Sequence, residues 1–146
     1  MENKKLAVSN VAWYPKKIEE FIKLLSSLGC DGLELAASMI WDEPIKTKIS
    51  DRKDLRNRIE DSGLQLTGLQ ALLYTRQDLK LFKNKTCRAQ ILDYVTHLMD
   101  LCKDLGGNVL VFGSPRNRNR GDLLFDDAYV IAIDFFQEIG MRAGDR

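Results

Sequence analysis

Three times in this chain a helix-like stretch meets a glycine and passes straight into a short apolar run. Gly29 leads into Cys30-Asp31-Gly32-Leu33-Glu34-Leu35, and Gly63 into Leu64-Gln65-Leu66-Thr67-Gly68-Leu69. Gly106 leads into Gly107-Asn108-Val109-Leu110-Val111-Phe112. Each glycine stands where a helix has to stop and the chain has to turn back, a position that favours the left-handed backbone conformation open to glycine at no steric cost. With a further short run, Leu6-Ala7-Val8-Ser9, opening the chain, the order reads β-α four times over. Such alternation implies parallel strands with helices packed outside them.

The spacing predicts strands at 6–9, 32–35, 64–69 and 108–112. The first helix has Pro15 in its first turn, Glu19 and Glu20 at its positive end, and an inward stripe of Ile18, Phe21, Ile22, Leu25 and Leu28. A short second helix begins near Asp51 as its cap, with Leu55 and Ile59 inward. The third spans about 86–105, its stripe formed by Ile91, Val95, Leu98, Cys102 and Leu105 and widened by Leu92, Met99 and Leu101. The fourth starts at Asp126 or Asp127 and turns Ala128, Ile131, Ala132, Phe135, Phe136 and Ile139 inward. The 108–112 run is nearly all apolar, as in a strand covered on both faces. Residues 36–50, 70–85 and 113–122 read as long loops. With no linker or low-complexity tract to divide it, the chain (1–146) is expected to form a single α/β domain.

At 146 residues there is length for one ordinary core. The 22 basic and 21 acidic side chains nearly cancel, so no global field draws nucleic acid or an anionic membrane. Three arginines at 116, 118 and 120 without interleaved aromatics make a weak nucleic-acid signal. Cys30, Cys87 and Cys102 are odd in number and far apart, which fits reduced thiols in a cytoplasmic protein. The Met1-Glu2-Asn3-Lys4-Lys5 start leads into too few apolar residues for a signal peptide, and no run reaches membrane-spanning length.

The loops after the strands are mostly long, about ten residues or more where 2–6 is usual. In parallel α/β folds those connections build the site. The motifs Gly29-Cys30-Asp31-Gly32-Leu33-Glu34-Leu35 and Gly63-Leu64-Gln65-Leu66-Thr67-Gly68-Leu69-Gln70 are joined by Leu105-Gly106-Gly107-Asn108-Val109-Leu110-Val111-Phe112-Gly113-Ser114-Pro115-Arg116. Together they resemble the xylose-isomerase-like TIM barrels, specifically the sugar phosphate isomerase/epimerase branch. The resemblance covers nearly the whole chain but only the N-terminal half of that fold, a parallel (βα)4 unit of a (βα)8 barrel that takes about 250 residues. It implies a sugar or sugar phosphate as small-molecule partner. For full-length relatives it implies a divalent metal (Mn, Mg or Zn) held by carboxylates and a histidine at later strands. The chain alone is therefore expected to bind no cofactor or metal and to be inactive by itself.

Candidate substrate-binding residues follow the strand ends. Glu34 ends the second strand, where it reaches a hydroxyl or is satisfied by backbone N–H groups or an arginine. Gln70 ends the third, as a hydroxyl partner or a loop anchor. Gly113 and Ser114 end the fourth, allowing close approach and a hydroxyl contact or simply turning the chain. Arg116 lies nearest that strand end and suits an anion in bidentate fashion, unless its loop is merely solvated. Trp13 stacks on a sugar or packs locally. His97, the one histidine, shares a polar helix face with Asp93, Asp100 and Asp104 and reads as solvated. Cys30 and Cys102 read as core thiols.

Three functional classes follow: an isomerase/epimerase-like protein supplying substrate-side loops; a non-catalytic oligomerising or small-molecule-binding α/β module; and a metal-dependent nuclease relative of the endonuclease IV type, disfavoured by the single histidine. A half-barrel also leaves strands one and four as open edges beside a concave apolar face, which predicts a homo-oligomer or a complementing half-barrel.

Overall fold

A computed structural model describes residues 5–144. The first four residues, part of the start read as lacking a signal sequence, and the last two lie outside the described residues. The elements run β1 (Ala7–Ser9), α1 (Ile18–Ser27), β2 (Gly32–Leu35), α2 (Ile49–Asp61), β3 (Gln65–Leu69), α3 (Lys85–Asp104) and α4 (Phe125–Gly144). Single 3-10 turns at Asn10–Ala12, Ala37–Met39 and Pro44–Lys46 punctuate the loops after β1 and β2. The strands pair in parallel in the order β1-β2-β3. The three glycines behave as the sequence requires: φ is 71° at Gly29, 75° at Gly63 and 87° at Gly106.

The core lies between the sheet and the helices. Leu33 and Leu35 of β2 meet Phe21, Ile22 and Leu25 of α1, Leu55 and Ile59 of α2, and the expected stripe of α3, all within one buried cluster. Glu19 and Glu20 lie in the first turn of α1. Asn84 caps α3 by accepting from the Cys87 N–H at 2.8 Å. Helix starts are shifted elsewhere. Pro15 lies in a turn ahead of α1, where Lys16 takes φ 60° and its N–H donates to the Met39 carbonyl at 2.7 Å. Asp51 sits inside the first turn of α2 and is not its cap, which is Lys48. Leu28 projects into solvent from the end of α1, outside the buried stripe.

The fourth strand is reduced to a bridge. Residues 108–112 touch the sheet through one parallel pairing, Leu69 with Leu110. The Leu69 N–H donates to the Val109 carbonyl, and the Val111 N–H donates to the Leu69 carbonyl, both at 2.8 Å. Nor is the segment covered on both faces. Leu110 and Phe112 turn toward the helices, while Val109 and Val111 stay exposed. Gly68 makes the bridge possible, since a Cβ there would fall 2.3 Å from the Val109 oxygen.

Two segments depart from the expected burial. The loop from 70 to 84 is part of the core: Leu72, Leu73, Leu79 and Leu81 are buried. On α4 only Ala128 and Phe135 are buried, and Phe136 is exposed. The concave side of the sheet is also more polar than expected. Leu66 packs toward Cys102 of α3, so Gln65 and Thr67 face the other way, and both are exposed.

Gly68→Ala is expected to destabilise the protein by about 1–3 kcal/mol, because the clash is with backbone that cannot rotate away. Gly113→Ala, with open space at its Cβ, is expected to stay within about 0.5 kcal/mol. Urea midpoints of the two variants check this.

Candidate functional site

Parallel strands place all their carboxyl ends on one rim, and the loops leaving that rim are tied to one another. Asn10, immediately after β1, is buried. Its side-chain oxygen accepts from the Ala36 N–H at 2.7 Å, and its amide donates to the Ala36 carbonyl at 3.3 Å. This two-way clamp locks the loop after β1 to the loop after β2. Sequence reasoning gave Asn10 no role. A polar residue directly after a strand, facing a partner far along the chain, leaves no periodic signal.

Ser9 and Glu34 are register partners on β1 and β2. Gln70 reaches across from the end of β3, its amide donating to the Ser9 hydroxyl. Ser9, Glu34 and Gln70 are all half-buried. No described residue hydrogen-bonds or ion-pairs with the Glu34 carboxylate. The rim thus offers an acceptor-only carboxylate beside a hydroxyl and an amide, the donor and acceptor set that a polyol needs.

A second group lies after β3 and after residues 108–112. Ala71, Tyr74, Gln77, Ser114, Arg116 and Asn117 line a cleft of about 370 Å³. Asn117 is buried and holds this region together, its amide donating to the carbonyls of Arg76 and Leu79 at 2.8 and 2.6 Å. The Asn117 carbonyl accepts from the Leu81 N–H. Sequence reasoning missed this residue because it sits inside a run of exposed arginines. Arg116 is exposed and its guanidinium has no partner among the described residues. Two walls of the cleft carry left-handed non-glycine backbone, with φ 51° at Ala71 and 36° at Ser114. Such strain costs on the order of 1–3 kcal/mol per residue and persists only where the surroundings impose it.

Three buried side-chain polar atoms lack a partner among the described residues: Trp13 Nε1, Ser38 Oγ and Ser114 Oγ. All three lie in loops leaving the carboxyl-end rim. Trp13 itself is half-buried against the core, its ring 6.1 Å from Phe21 and 5.3 Å from Tyr14. Gly113 has no left-handed φ; the strained turn falls on Ser114. Glu34, Gln70 and Ser114 share the rim but not one cleft. A further cavity, of about 770 Å³, lies at the opposite end of β3, around Gly63, Gln65, Gly106 and Asn108.

Beside the cleft, Arg76 donates to both oxygens of Asp78 at 2.9 and 2.7 Å and holds that carboxyl below its usual range. Asp78 is largely exposed, so the pair orients the loop and adds little stability. The Arg76 guanidinium sits 5.2 Å above the Tyr94 ring, and burial pushes the Tyr94 phenol upward. His97 is exposed with Nδ1 2.7 Å from the Asp93 carbonyl, as a solvated residue should be. Cys102 is buried and its thiol is pushed up by desolvation, whereas Cys30 sits half-buried at the core margin. Among the described residues no group of three or more His, Cys, Asp or Glu side chains is placed to hold a metal ion. Nor is any helix of the described residues long and apolar enough to cross a membrane.

Ser114→Gly should raise stability by about 1 kcal/mol by releasing the left-handed strain, with Ala71→Gly behaving in the same sense. Thermal melts of the two variants measure it.

No protein-family model and no curated protein matches the sequence. Among solved structures the chain is similar to D-psicose 3-epimerase, determined in the presence of D-fructose, with a TM-score of 0.73 at 16% identity. The match covers 97% of this chain and 49% of the epimerase, so the chain spans about half of that protein's length. The fold is therefore a parallel (βα) unit matching the N-terminal half of a TIM barrel.

Proposed function

We propose that this chain forms the substrate-side wall of an isomerase/epimerase-type site for a sugar or sugar phosphate, and that it does not perform the chemistry alone. The observation that carries this reading is the rim triad. Glu34 stands without a partner beside a Ser9–Gln70 hydrogen bond, at the end of a parallel sheet where ligands of this architecture sit. In this reading Glu34 accepts from a sugar hydroxyl, and Gln70 exchanges its bond to Ser9 for one to the ligand. Ser114 and Arg116 hold the far end, with Arg116 suited to a phosphate. Trp13 closes the β1 side through its indole edge.

Inactivity of the isolated chain follows from the chemistry of epimerisation. Moving a proton from one face of a carbon to the other takes acid–base groups on both faces and a cation or donor to stabilise the enediolate oxygen. In this reading Glu34 supplies at most one of these, and the rest would come from outside this chain. The structural likeness to an epimerase supports the fold part of this reading.

Titration with D-fructose and with its 6-phosphate, followed by NMR, is the test. Weak binding is expected, with shifts at the Gln70 side-chain amide and the Trp13 indole, and tighter binding of the phosphate that Arg116→Ala removes. Glu34→Gln should weaken both about tenfold, the loss of one charge-assisted hydrogen bond. No saturable shift at the rim would overturn the assignment. Calorimetric titration with Mn²⁺ checks the other half: stoichiometric tight binding would refute the claim that this chain lacks its own metal centre.

A further inference from the structure

We propose that the flank of α4 facing away from α3 is an interface for a second copy of this chain, and that two copies close into one eight-stranded ring. Helix α4 is apolar over more of its circumference than its own chain covers. At about 100° per residue, Ile131, Phe135, Glu138 and Arg142 share one sector. That sector faces α3: Ile131 and Phe135 border a crevice with Arg88 and Leu92, and Arg142 donates to Asp93 and Thr96. Phe125, Tyr129, Ile133 and Phe136 fall on the opposite sector, on the side away from α3, and all four are exposed. Two ring pairs lie along this sector. Phe125 stacks on Tyr129 at 6.0 Å, and Phe136 meets Phe112 edge-on at 5.3 Å. The sector therefore reaches the 108–112 segment, whose far edge carries no strand among the described residues.

The other end of the sheet has a matching surface. One flank of α1 is bound to α2 through the Glu19–Arg58 ion pair and the Ser26 hydroxyl bond to the Ser62 carbonyl. Lys17, Leu24 and Leu28 occupy the opposite flank, and Leu28 is 67% exposed. β1 beside them is likewise an open edge.

A second copy fits both surfaces at once. All strands run in one direction, so a two-fold axis along the ring brings 108–112 of one copy parallel to β1 of the other and sets α4 beside α1. The same rotation creates a second identical junction, which leaves no edge unpaired. Counted from each helix's own start, Ile133 and Phe136 lie about 12 and 16 Å along α4, and Leu24 and Leu28 about 9 and 15 Å along α1, at 1.5 Å per residue. Charges agree. The first turn of α4 carries Asp126 on the side away from α3, and in this arrangement it comes near Lys16 and Lys17 ahead of α1 in the second copy. Those lysines hold only exposed carboxylates, Asp42 and Glu20, in their own chain.

Light scattering on the 146-residue chain should give a discrete species of twice the 16.7 kDa monomer mass. Leu28→Glu and Ile133→Glu, on opposite sides of the junction, should each weaken it about 100-fold by burying an unpaired charge, with circular dichroism unchanged. Asp126→Lys and Lys17→Glu should each weaken it and, combined in one chain, restore it. A monomer, an open-ended polymer, a dimer indifferent to both glutamates, or no rescue by the charge swap would overturn the proposal. None of these outcomes depends on sugar binding.

Discussion

Two hydrogen bonds at Leu69 attach the last third of the chain to the sheet. Its N–H reaches the Val109 carbonyl and its carbonyl receives the Val111 N–H. The chain after Gly107 is oriented by this parallel bridge, by the hydrogen bonds of Asn117 to the 76–81 segment and by the packing of α4 on α3. The contact exists because Gly68, one residue earlier, has no side chain to hold the two backbones apart. Ser114 and Arg116 inherit their place on the rim from it. A shift of the bridge by one residue would carry Phe112 away from the Phe135 and Phe136 rings and put Val111 against the helices. The cleft beside Ala71 and the register of α4 are thus set by the same small patch of backbone.

Much of the architecture was legible because local chemistry and global topology agree at the glycines. Gly29, Gly63 and Gly106 each combine a positive φ with a helix end, a signal that depends on no distant partner. The α3 stripe was legible for a similar reason, since a long amphipathic helix shows its buried face in its own spacing. Residues 108–112 misled because an apolar run reports only a preference for burial, not the number of neighbours that provide it. With no fifth strand among the described residues, Val109 and Val111 stay wet. The leucines at 72, 73, 79 and 81 were illegible as core because they follow neither a helical nor a strand period. Their burial is set by Asn117, about forty positions away, which ties down the carbonyls of Arg76 and Leu79.

The rim shows the same division. Glu34, Gln70, Ser114 and Arg116 were placed on one side of the molecule by strand direction alone, and the fold puts them there. What the sequence could not supply was their grouping. Glu34 and Gln70 meet Ser9 above β2, while Ser114 and Arg116 belong to a separate cleft with Tyr74 and Gln77. Asn10 and Asn117, the two buried asparagines, do the joining. The Asn10 amide is paired in both directions with the Ala36 backbone, and the Asn117 amide donates to two backbone carbonyls, so each fixes a loop in a dry setting. The orphans are found instead at Trp13, Ser38 and Ser114, on the loops these asparagines hold in place.

The chemistry of the concave wall bears on what can cover it. Closed eight-stranded barrels of this class fill their interior with layers of large branched side chains. Here the inward positions include Ser9, Glu34, Gln65, Thr67 and Gln70, with only Val109 and Val111 as sizeable apolar groups. Such a wall gains little by being dried, since each amide and the carboxylate would require a new partner on burial. The apolar surface available for association lies instead on the outer layer, along α4 and at the exposed end of α1. Ring closure would therefore be driven by helix packing outside the sheet, and the enclosed space would keep water and polar groups at its mouth. In the proposed assembly that separation would let one surface hold the two copies together while the other stays free to exchange hydrogen bonds with a polyol.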